Sequence, residues 1–293
     1  IGTRTGCRVR SRRVSRAERR YDYVVAGHVS RDVVRATGTE QVGGTAFYSG
    51  LQAARLGLRT LIVTAGVPAE VEGLLAPWRE ELDDVLIQPA AQTTRFEAEG
   101  IGLDRRLRVR AWAGPLEPLT EPLETSVLHL APVARETGDF SGVTAGFRAI
   151  TPQGLIRRWG EDGAVRQVAL DPAELPGRLD ALVISDTERD ECRDAVDAAL
   201  ALGAVVSQTS GREGAEVVSG AGAIRAPALR VVDPVDDLGA GDVYAATFFA
   251  ALAAGLDPAA ALRRGQAASL YRLSGTGPGA IATAAQIDEL VAS

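Results

Sequence analysis

The segment DDLGAGD, residues 236–242, followed directly by a long apolar run, is the most informative part of this chain. Small side chains leave the backbone N–H groups of Gly239, Ala240 and Gly241 open to close approach by an anion. The helix predicted after them directs the positive end of its dipole at the same point. Asp242 lies beside this anion site, where a carboxylate can take a proton from an attacking hydroxyl. These features predict phosphoryl transfer to an alcohol.

The composition of the 293 residues excludes several kinds of protein. Hydrophobic residues make up 46% of the chain, which is enough for a full core and argues against global disorder. The sequence contains no Lys, so it has neither a Schiff-base lysine nor the Lys of a Walker-A loop. With only two His and two Cys, we expect neither a structural zinc site nor a disulfide framework, and we predict a cytoplasmic protein.

Charge divides the chain into a basic start and an acidic remainder. The first twenty residues hold eight Arg and one Glu, a charge of +7, whereas the remainder carries −13. An acidic body is not typical of a nucleic-acid surface, and the longest apolar run, 245–256, is too short to span a bilayer. We therefore expect no nucleic-acid or membrane partner. Residues 1–20 are predicted to be a disordered Arg-rich extension, although a nucleic-acid or transit role for them stays open.

Strand and helix patterns alternate along most of the chain. Predicted core strands are 21–27, 59–64, 84–88, 127–130, 147–150, 181–185 and 204–207, and predicted helices are 46–56, 68–81, 187–202, 242–256, 258–273 and 283–291. Segments 93–99 and 105–112 alternate large and polar residues, which predicts exposed antiparallel strands. Short links between strands and helices predict a doubly wound, mostly parallel sheet flanked by helices, in one domain from residue 21 to 293.

This pattern resembles the ribokinase-like (PfkB) family of carbohydrate kinases over nearly all of residues 21–293. The most specific match is the family's D-x-x-G-A-G-D, which stands late in the chain and before an Ala-rich helix. The resemblance implies an ATP-dependent kinase for a small polyhydroxylated molecule, which is a sugar, a polyol such as inositol, or a nucleoside. It implies Mg²⁺ on the phosphates, Asp242 as general base, and the amides of Gly239, Ala240 and Gly241 as anion hole.

The resemblance also implies an acceptor wall and a lid. Asp32, in the loop after the first strand, is implied to bind acceptor hydroxyls. Gly43 and Gly44 are implied to let the acceptor approach the backbone. Segments from about 31–43 and 92–113 are implied to form a small β-strand lid over the substrate, whose exposed strands pair two subunits in a homodimer.

Two further matches to the family pattern imply residues that bind the nucleotide and Mg²⁺. The run TSGREGA at 209–215 resembles the family's T-x-G-x-x-G-[AC] turn. The residues thereby implied to bind nucleotide are Thr209, Gly211 and Gly214, together with Asp236 from the D-x-x-G-A-G-D motif. Glu188 matches the last position of N-x-x-E, an element tied to Mg²⁺ and phosphate.

Three positions depart from the family pattern. Ser185 stands where N-x-x-E has Asn, Asp237 stands where Thr or Ser is usual, and 45–48 lacks the Asn with which ribokinase proper reads its sugar. The first two departures keep open a catalytically weakened metabolite-binding protein of the same fold, and the third argues against ribose as the acceptor. A nicotinamide oxidoreductase also uses a doubly wound sheet, but no G-x-G-x-x-G follows the first strand here.

Overall fold

The computed structural model describes residues 20–35, 38–100, 106–119, 121–234 and 236–293, without the side chain of Val34. Residues 1–19 of the predicted extension and positions 36–37 and 101–105 of the predicted lid lie outside this part. The strands are β1 (Tyr21–Ala26), β2 (Ser30–Val34), β3 (Thr39–Gly43), β4 (Thr60–Gly66), β5 (Asp84–Pro89), β6 (Arg95–Glu99), β7 (Arg106–Ala111), β8 (Leu123–Leu130), β9 (Val143–Ile150), β10 (Arg157–Trp159), β11 (Val165–Gln167), β12 (Ala181–Ser185), β13 (Val205–Thr209), β14 (Ala215–Ser219) and β15 (Gly222–Ala226). The helices are α1 (Thr45–Arg55), α2 (Pro68–Leu75), α3 (Arg193–Ala201), α4 (Ala240–Ala253), α5 (Pro258–Leu273) and α6 (Ala284–Ala292).

Within the described residues, nine strands form the central sheet in the order β15-β14-β13-β12-β9-β8-β1-β4-β5. Neighbours from β13 to β5 pair in parallel, and β14 and β15 add an antiparallel edge. Every residue of β4 is buried, as expected where a parallel strand is covered on both faces. The predicted doubly wound, mostly parallel sheet is confirmed.

Helices pack on both faces of the central sheet and form two cores. One core contains residues of α1, α2, α4, α5 and α6, with Phe248 and Phe249 of α4 fully buried against the strands. The other core contains Ala195 and Ala199 of α3 with the opposite face of the same strands. Because α4 is apolar nearly all round, its first turn is fixed firmly at one end of the sheet.

Four further strands form a separate small sheet in the order β3-β2-β6-β7. It coincides with the segments predicted as lid strands, and β6 and β7 pair antiparallel as their alternation predicts. The chain passes from β1 into β2 through only three residues, 27–29. The small sheet therefore begins at the carboxyl end of a central strand.

Some predicted elements are shorter than expected. The helix predicted over 68–81 ends at Leu75 and continues as a 3-10 turn, Ala76–Trp78, since Pro77 lacks an N–H and disfavours the α conformation before it. The helix predicted over 187–202 begins at Arg193 because residues 186–188 close a separate 3-10 turn. The hairpin of β10 and β11 was not predicted, since three-residue strands show no readable period. In the described part of the chain, helices are too short or too polar to cross a membrane.

Candidate active site

A cavity of about 1270 Å³ lies between the carboxyl ends of the central strands and the small sheet. Thr209 ends β13 and Ser185 ends β12 at its floor, and Asp32 of β2 lies on the small-sheet side. The first turn of α4 completes the wall with Gly239, Gly241 and Asp242 as lining residues. Ligands of open parallel sheets bind at this edge, where loops leave the strands.

The start of α4 has the geometry of an anion site. Gly239 precedes the helix in the left-handed conformation, with φ 81°. A Cβ placed on Gly239 would lie 2.2 Å from Cδ1 of Tyr48, whereas a Cβ on Gly241 would meet no atom within 4 Å. The space over Gly241 is therefore open toward the cavity. The amides of the first helical turn have no partner within the helix, but the N–H of Ala240 donates to the backbone oxygen of Asp237, before the helix, at 3.2 Å. The residues predicted as anion hole, Gly239, Ala240 and Gly241, are thus together at a helix N-terminus.

Asp242 lies in the first turn of α4 and faces a mixed charge environment. Burial raises the pKa of its carboxyl to about 6, and the negative charges of Glu188 and Asp32 act in the same direction. A hydrogen bond from Thr45 and the positive charge of Arg157 oppose the rise. A carboxylate with a pKa near 6 is suited to accept a proton near neutral pH.

The small sheet brings Asp32 and the glycine pair to one place. Oδ1 of Asp32 accepts a hydrogen bond from Oγ of Ser30 at 2.8 Å. A Cβ on Gly43 would lie 2.2 Å from Oδ2 of Asp32, so a side chain there would displace that carboxylate. Gly44 has φ 97°, and a Cβ on it would lie 2.1 Å from the backbone oxygen of His28. Gly44 is therefore required by the backbone geometry, whereas Gly43 leaves the space through which Asp32 reaches the cavity.

Glu188 lies in the cavity wall but also closes a local turn. One of its carboxylate oxygens accepts a hydrogen bond from the backbone N–H of Ser185 at 2.8 Å, as part of a capping box. Burial raises the pKa of Glu188, and the hydrogen bond from Ser185 and the charge of Arg157 oppose that rise. Among the described residues, no three His, Cys or carboxylate side chains are grouped so that they could hold a metal ion. The predicted Mg²⁺ fits this site only as part of a metal–phosphate donor.

The residues predicted to bind the nucleotide, which is the phosphoryl donor, separate into two groups. Thr209 and Asp236 line the cavity, while Gly211 and Gly214 shape the turn between β13 and β14 beyond the lining found for the described residues. Gly214 has φ 109°, and a Cβ on it would lie 2.1 Å from the backbone oxygen of Ala226.

Asp236 is held by the protein itself. Its carboxylate accepts hydrogen bonds from Nη2 of the buried Arg272 at 2.5 Å and from the backbone N–H groups of Gly277 at 2.8 Å and Leu238 at 3.0 Å. Burial raises the pKa of Asp236, but these hydrogen bonds and the charge of Arg272 bring it below its ordinary value. Asp236 therefore ties the loop before α4 to α5 and to the loop after α5.

Three residues that are connected with Asp242, directly or through one another, were not predicted from the sequence. Thr45 begins α1, Gln153 follows β9, and Arg157 begins β10. Nε2 of Gln153 lies 2.5 Å from Oγ1 of Thr45 and 3.3 Å from Oδ1 of Asp242, and Nη2 of Arg157 donates to Oε1 of Gln153 at 3.0 Å. The sequence held a signal for Arg157 only. Because the chain has no Lys, any fixed positive side chain in the site has to be Arg.

The comparisons with known proteins agree with this geometry. The sequence model of the pfkB family of carbohydrate kinases matches residues 174–284, which include the start of α4. Residues 174–284 are thus similar to the pfkB family of carbohydrate kinases, in agreement with the resemblance seen in the sequence. None of the curated proteins matches this chain.

Several solved structures share the ribokinase-like fold with this chain. A pyrophosphate-dependent kinase of the ribokinase family, complexed with a pyrophosphate analogue and myo-inositol, has a TM-score of 0.73 at 19% identity, with 91% of this chain and 99% of that chain covered. Ribokinase from Arabidopsis thaliana, complexed with ribose and ATP, has a TM-score of 0.67 at 16% identity over 93% and 99% of the two chains. A nucleoside kinase from Methanocaldococcus jannaschii has a TM-score of 0.68 at 15% identity over 92% and 98%. At these identities the likeness shows the fold alone.

Proposed function

We propose that this ribokinase-like protein transfers a phosphoryl group to a hydroxyl of a small polyhydroxylated molecule, which is a sugar, a polyol such as inositol, or a nucleoside. The observation that carries the proposal is the position of Asp242. Its carboxylate lies in the first turn of α4, beside the open space over Gly241, and burial raises its pKa to about 6. A proton acceptor is thereby placed next to an anion site in one cavity.

In the proposed reaction Asp242 is the general base. The acceptor hydroxyl is oriented by Asp32 and gives its proton to the carboxylate of Asp242 while its oxygen bonds to the phosphorus. The bond from that phosphorus to the rest of the donor breaks, and the leaving phosphate keeps the bonding electron pair. General-base catalysis contributes about 10²–10⁴-fold. The amides of Gly239, Ala240 and Gly241 stabilise charge on the moving group, where one donor is worth about 10²–10³-fold.

We propose ATP as the donor, bound near Thr209 and Asp236, with pyrophosphate as the alternative. The alternative is supported by the similar fold of a pyrophosphate-dependent kinase complexed with a pyrophosphate analogue. Glu188 is the carboxylate that would face a Mg²⁺ ion on the donor, and the ion would offset repulsion between the donor phosphates and the acidic walls. A homodimer through the strands of the small sheet and a cytoplasmic location remain predictions from the sequence.

A screen of phosphoryl transfer tests the proposal. ATP or pyrophosphate, each with Mg²⁺, is offered with sugars, inositols and nucleosides, and release of ADP or phosphate is followed. We expect turnover with one donor and one acceptor class, a kcat/KM that rises with pH through about 6, and no turnover for Asp242→Asn with donor affinity nearly intact. Full activity of Asp242→Asn would contradict the role of Asp242.

One observation favours the second candidate, a metabolite-binding protein with weakened catalysis. Ser185 occupies the position of the family's Asn, and its backbone N–H holds Glu188 in a capping box. Calorimetry on the same acceptors separates the two candidates. Tight acceptor binding without product from either donor would favour the binding protein.

A further inference from the structure

A chain of hydrogen bonds connects the guanidinium of Arg157 to the carboxylate of Asp242. Nη2 of Arg157 lies 3.0 Å from Oε1 of Gln153, and Nε2 of Gln153 lies 2.5 Å from Oγ1 of Thr45. The hydroxyl of Thr45 in turn hydrogen-bonds Asp242. The three residues come from β10, from the loop after β9 and from the start of α1, so only the tertiary structure joins them.

The direction of this chain is fixed by what each group can donate. A guanidinium only donates, so the amide atom of Gln153 that faces Arg157 is its oxygen. The NH₂ group of Gln153 then faces Thr45 and donates to its hydroxyl oxygen. Since a Thr hydroxyl has a single proton, that proton is left to point at Asp242. Every hydrogen bond therefore runs toward the carboxylate.

We propose that Thr45, Gln153 and Arg157 are positioning residues that keep Asp242 ionised and orient its carboxylate toward the acceptor hydroxyl. This inference rests on the proposed role of Asp242 as base. Nε2 of Gln153 also lies 3.3 Å from Oδ1 of Asp242, so Gln153 reaches the carboxylate directly as well as through Thr45.

We call the hydrogen bonds from Arg157 through Gln153 and Thr45 to Asp242 the relay. The charges around Asp242 show why it is needed. The charged groups that face it are Arg157, Glu188 and Asp32, of which two are negative. Together with burial, these two favour the protonated carboxyl, which cannot act as a base. Hydrogen bonds directed at the ionised form oppose both effects.

Two substitutions break the relay with little change of shape. Thr45→Val removes the last donor, and Thr45→Ser restores it. Gln153→Glu keeps the bond from Arg157 but replaces the donating NH₂ with an acceptor, so the hydroxyl of Thr45 turns away from Asp242. It also adds a negative charge near Asp242, which by itself raises the pKa of Asp242, so Thr45→Val is the variant that tests the hydrogen bond alone. Thr247→Val is the matched control, because Thr247 is a buried residue of α4 whose hydroxyl has no partner among the described residues.

The first measurement follows the unfolding free energy against pH by urea denaturation. Because the pKa of folded Asp242 is about 6, above the roughly 3.9 of an unfolded Asp, its contribution to stability is full below about pH 4 and is lost as pH rises through 6. We expect Thr45→Val and Gln153→Glu to raise the pKa of folded Asp242. The pH at which its contribution to stability is completely lost should therefore increase by about one unit. Thr45→Ser and Thr247→Val should leave it in place. With Asp242→Asn as background, neither shift should remain.

The second measurement is the pH profile of kcat/KM with the acceptor found by the screen. The midpoint of its acidic limb should move upward with the same two variants and return with Thr45→Ser. An unmoved midpoint in folded Thr45→Val and Gln153→Glu overturns the relay. If Asp242→Asn is inactive in that case, the proposed function survives without the relay; if Asp242→Asn is active, the proposed function fails first. If Thr45→Val does not fold, Thr45→Ala takes its place, because it removes the same hydroxyl and leaves the charges around Asp242 unchanged.

Discussion

Gly239 and Gly241 flank Ala240 in the sequence, but the structure places different demands on them. Gly239 needs the left-handed conformation and has no room for a Cβ beside Tyr48. Gly241 is helical, and a methyl group there would point into the cavity without touching the protein. The first glycine is therefore a requirement of the fold, and we predict that the second is a requirement of the ligand that occupies the cavity.

Substitution by Ala separates these two demands. We expect Gly241→Ala to keep the unfolding free energy within about 1 kcal/mol of the wild type and to lower phosphoryl transfer by on the order of 10²-fold, because its methyl enters the anion site. Gly239→Ala should lose about 2–4 kcal/mol of stability through strain and contact with Tyr48. Urea denaturation and the transfer assay measure both effects. Unchanged transfer in Gly241→Ala would contradict the anion site.

The loop before α4 is held in place by α5. Arg272 is fully buried and pairs with Asp236, and its guanidinium lies 5.7 Å from the ring centre of Tyr48, the same ring that closes over Gly239. The ion pair and the ring thus support the anion site from behind. Removal of one partner of a buried ion pair lowers the unfolding free energy strongly, because the other charge is left buried without compensation.

We expect Arg272→Met to lose about 3–5 kcal/mol of stability, measured by urea denaturation. Arg264→Met is the control on the same helix, because Arg264 pairs with the exposed Asp288 and a surface ion pair contributes only about 0–1 kcal/mol. A similar loss in both variants would mean that the pair with Asp236 has no special weight. Removal of both partners, in Arg272→Met with Asp236→Leu, should recover part of the loss.

At the scale of the whole molecule, the cavity lies between two sheets that are buried to different extents. The central sheet is covered by helices on both faces, whereas β2, β3, β6 and β7 are half exposed and tied to it by short connections. Local opening is easiest where few apolar contacts are buried. The small sheet is therefore the part whose exposure a bound ligand changes most.

Hydrogen exchange tests the predicted lid role of the small sheet. We expect the acceptor found by the screen, together with its donor, to slow amide exchange in β2 and β6 by at least about tenfold, while β4 and β8 stay unchanged. Asp32→Asn is the control, because it weakens acceptor binding without touching the central sheet. Exchange in β2 and β6 that is unaffected by ligand would contradict a lid.

Elements with long, regular patterns could be predicted from the sequence. The apolar strands and the amphipathic or Ala-rich helices carry enough residues for their period to be read, as β1, β4, α4 and α5 show. The hairpin of β10 and β11 carries too few, although Arg157 begins it. The prediction of a helix over 68–81 followed the periodic pattern and neglected Pro77, the local signal that ends α2 at Leu75.

The central sheet, its helices and the stretch 236–242 could be predicted from the sequence, because hydrophobic period, glycine and a helix start are properties of neighbouring residues. Asp242, Asp32 and the glycine pair could also be named as candidates. The hydrogen bonds that link Arg157, Gln153 and Thr45 beside Asp242 depend on the tertiary structure, since these residues lie on different elements. The tertiary structure also decided that Asp236 is bonded to Arg272 and that burial raises the pKa of Asp242, because burial and partners depend on the packing of distant elements.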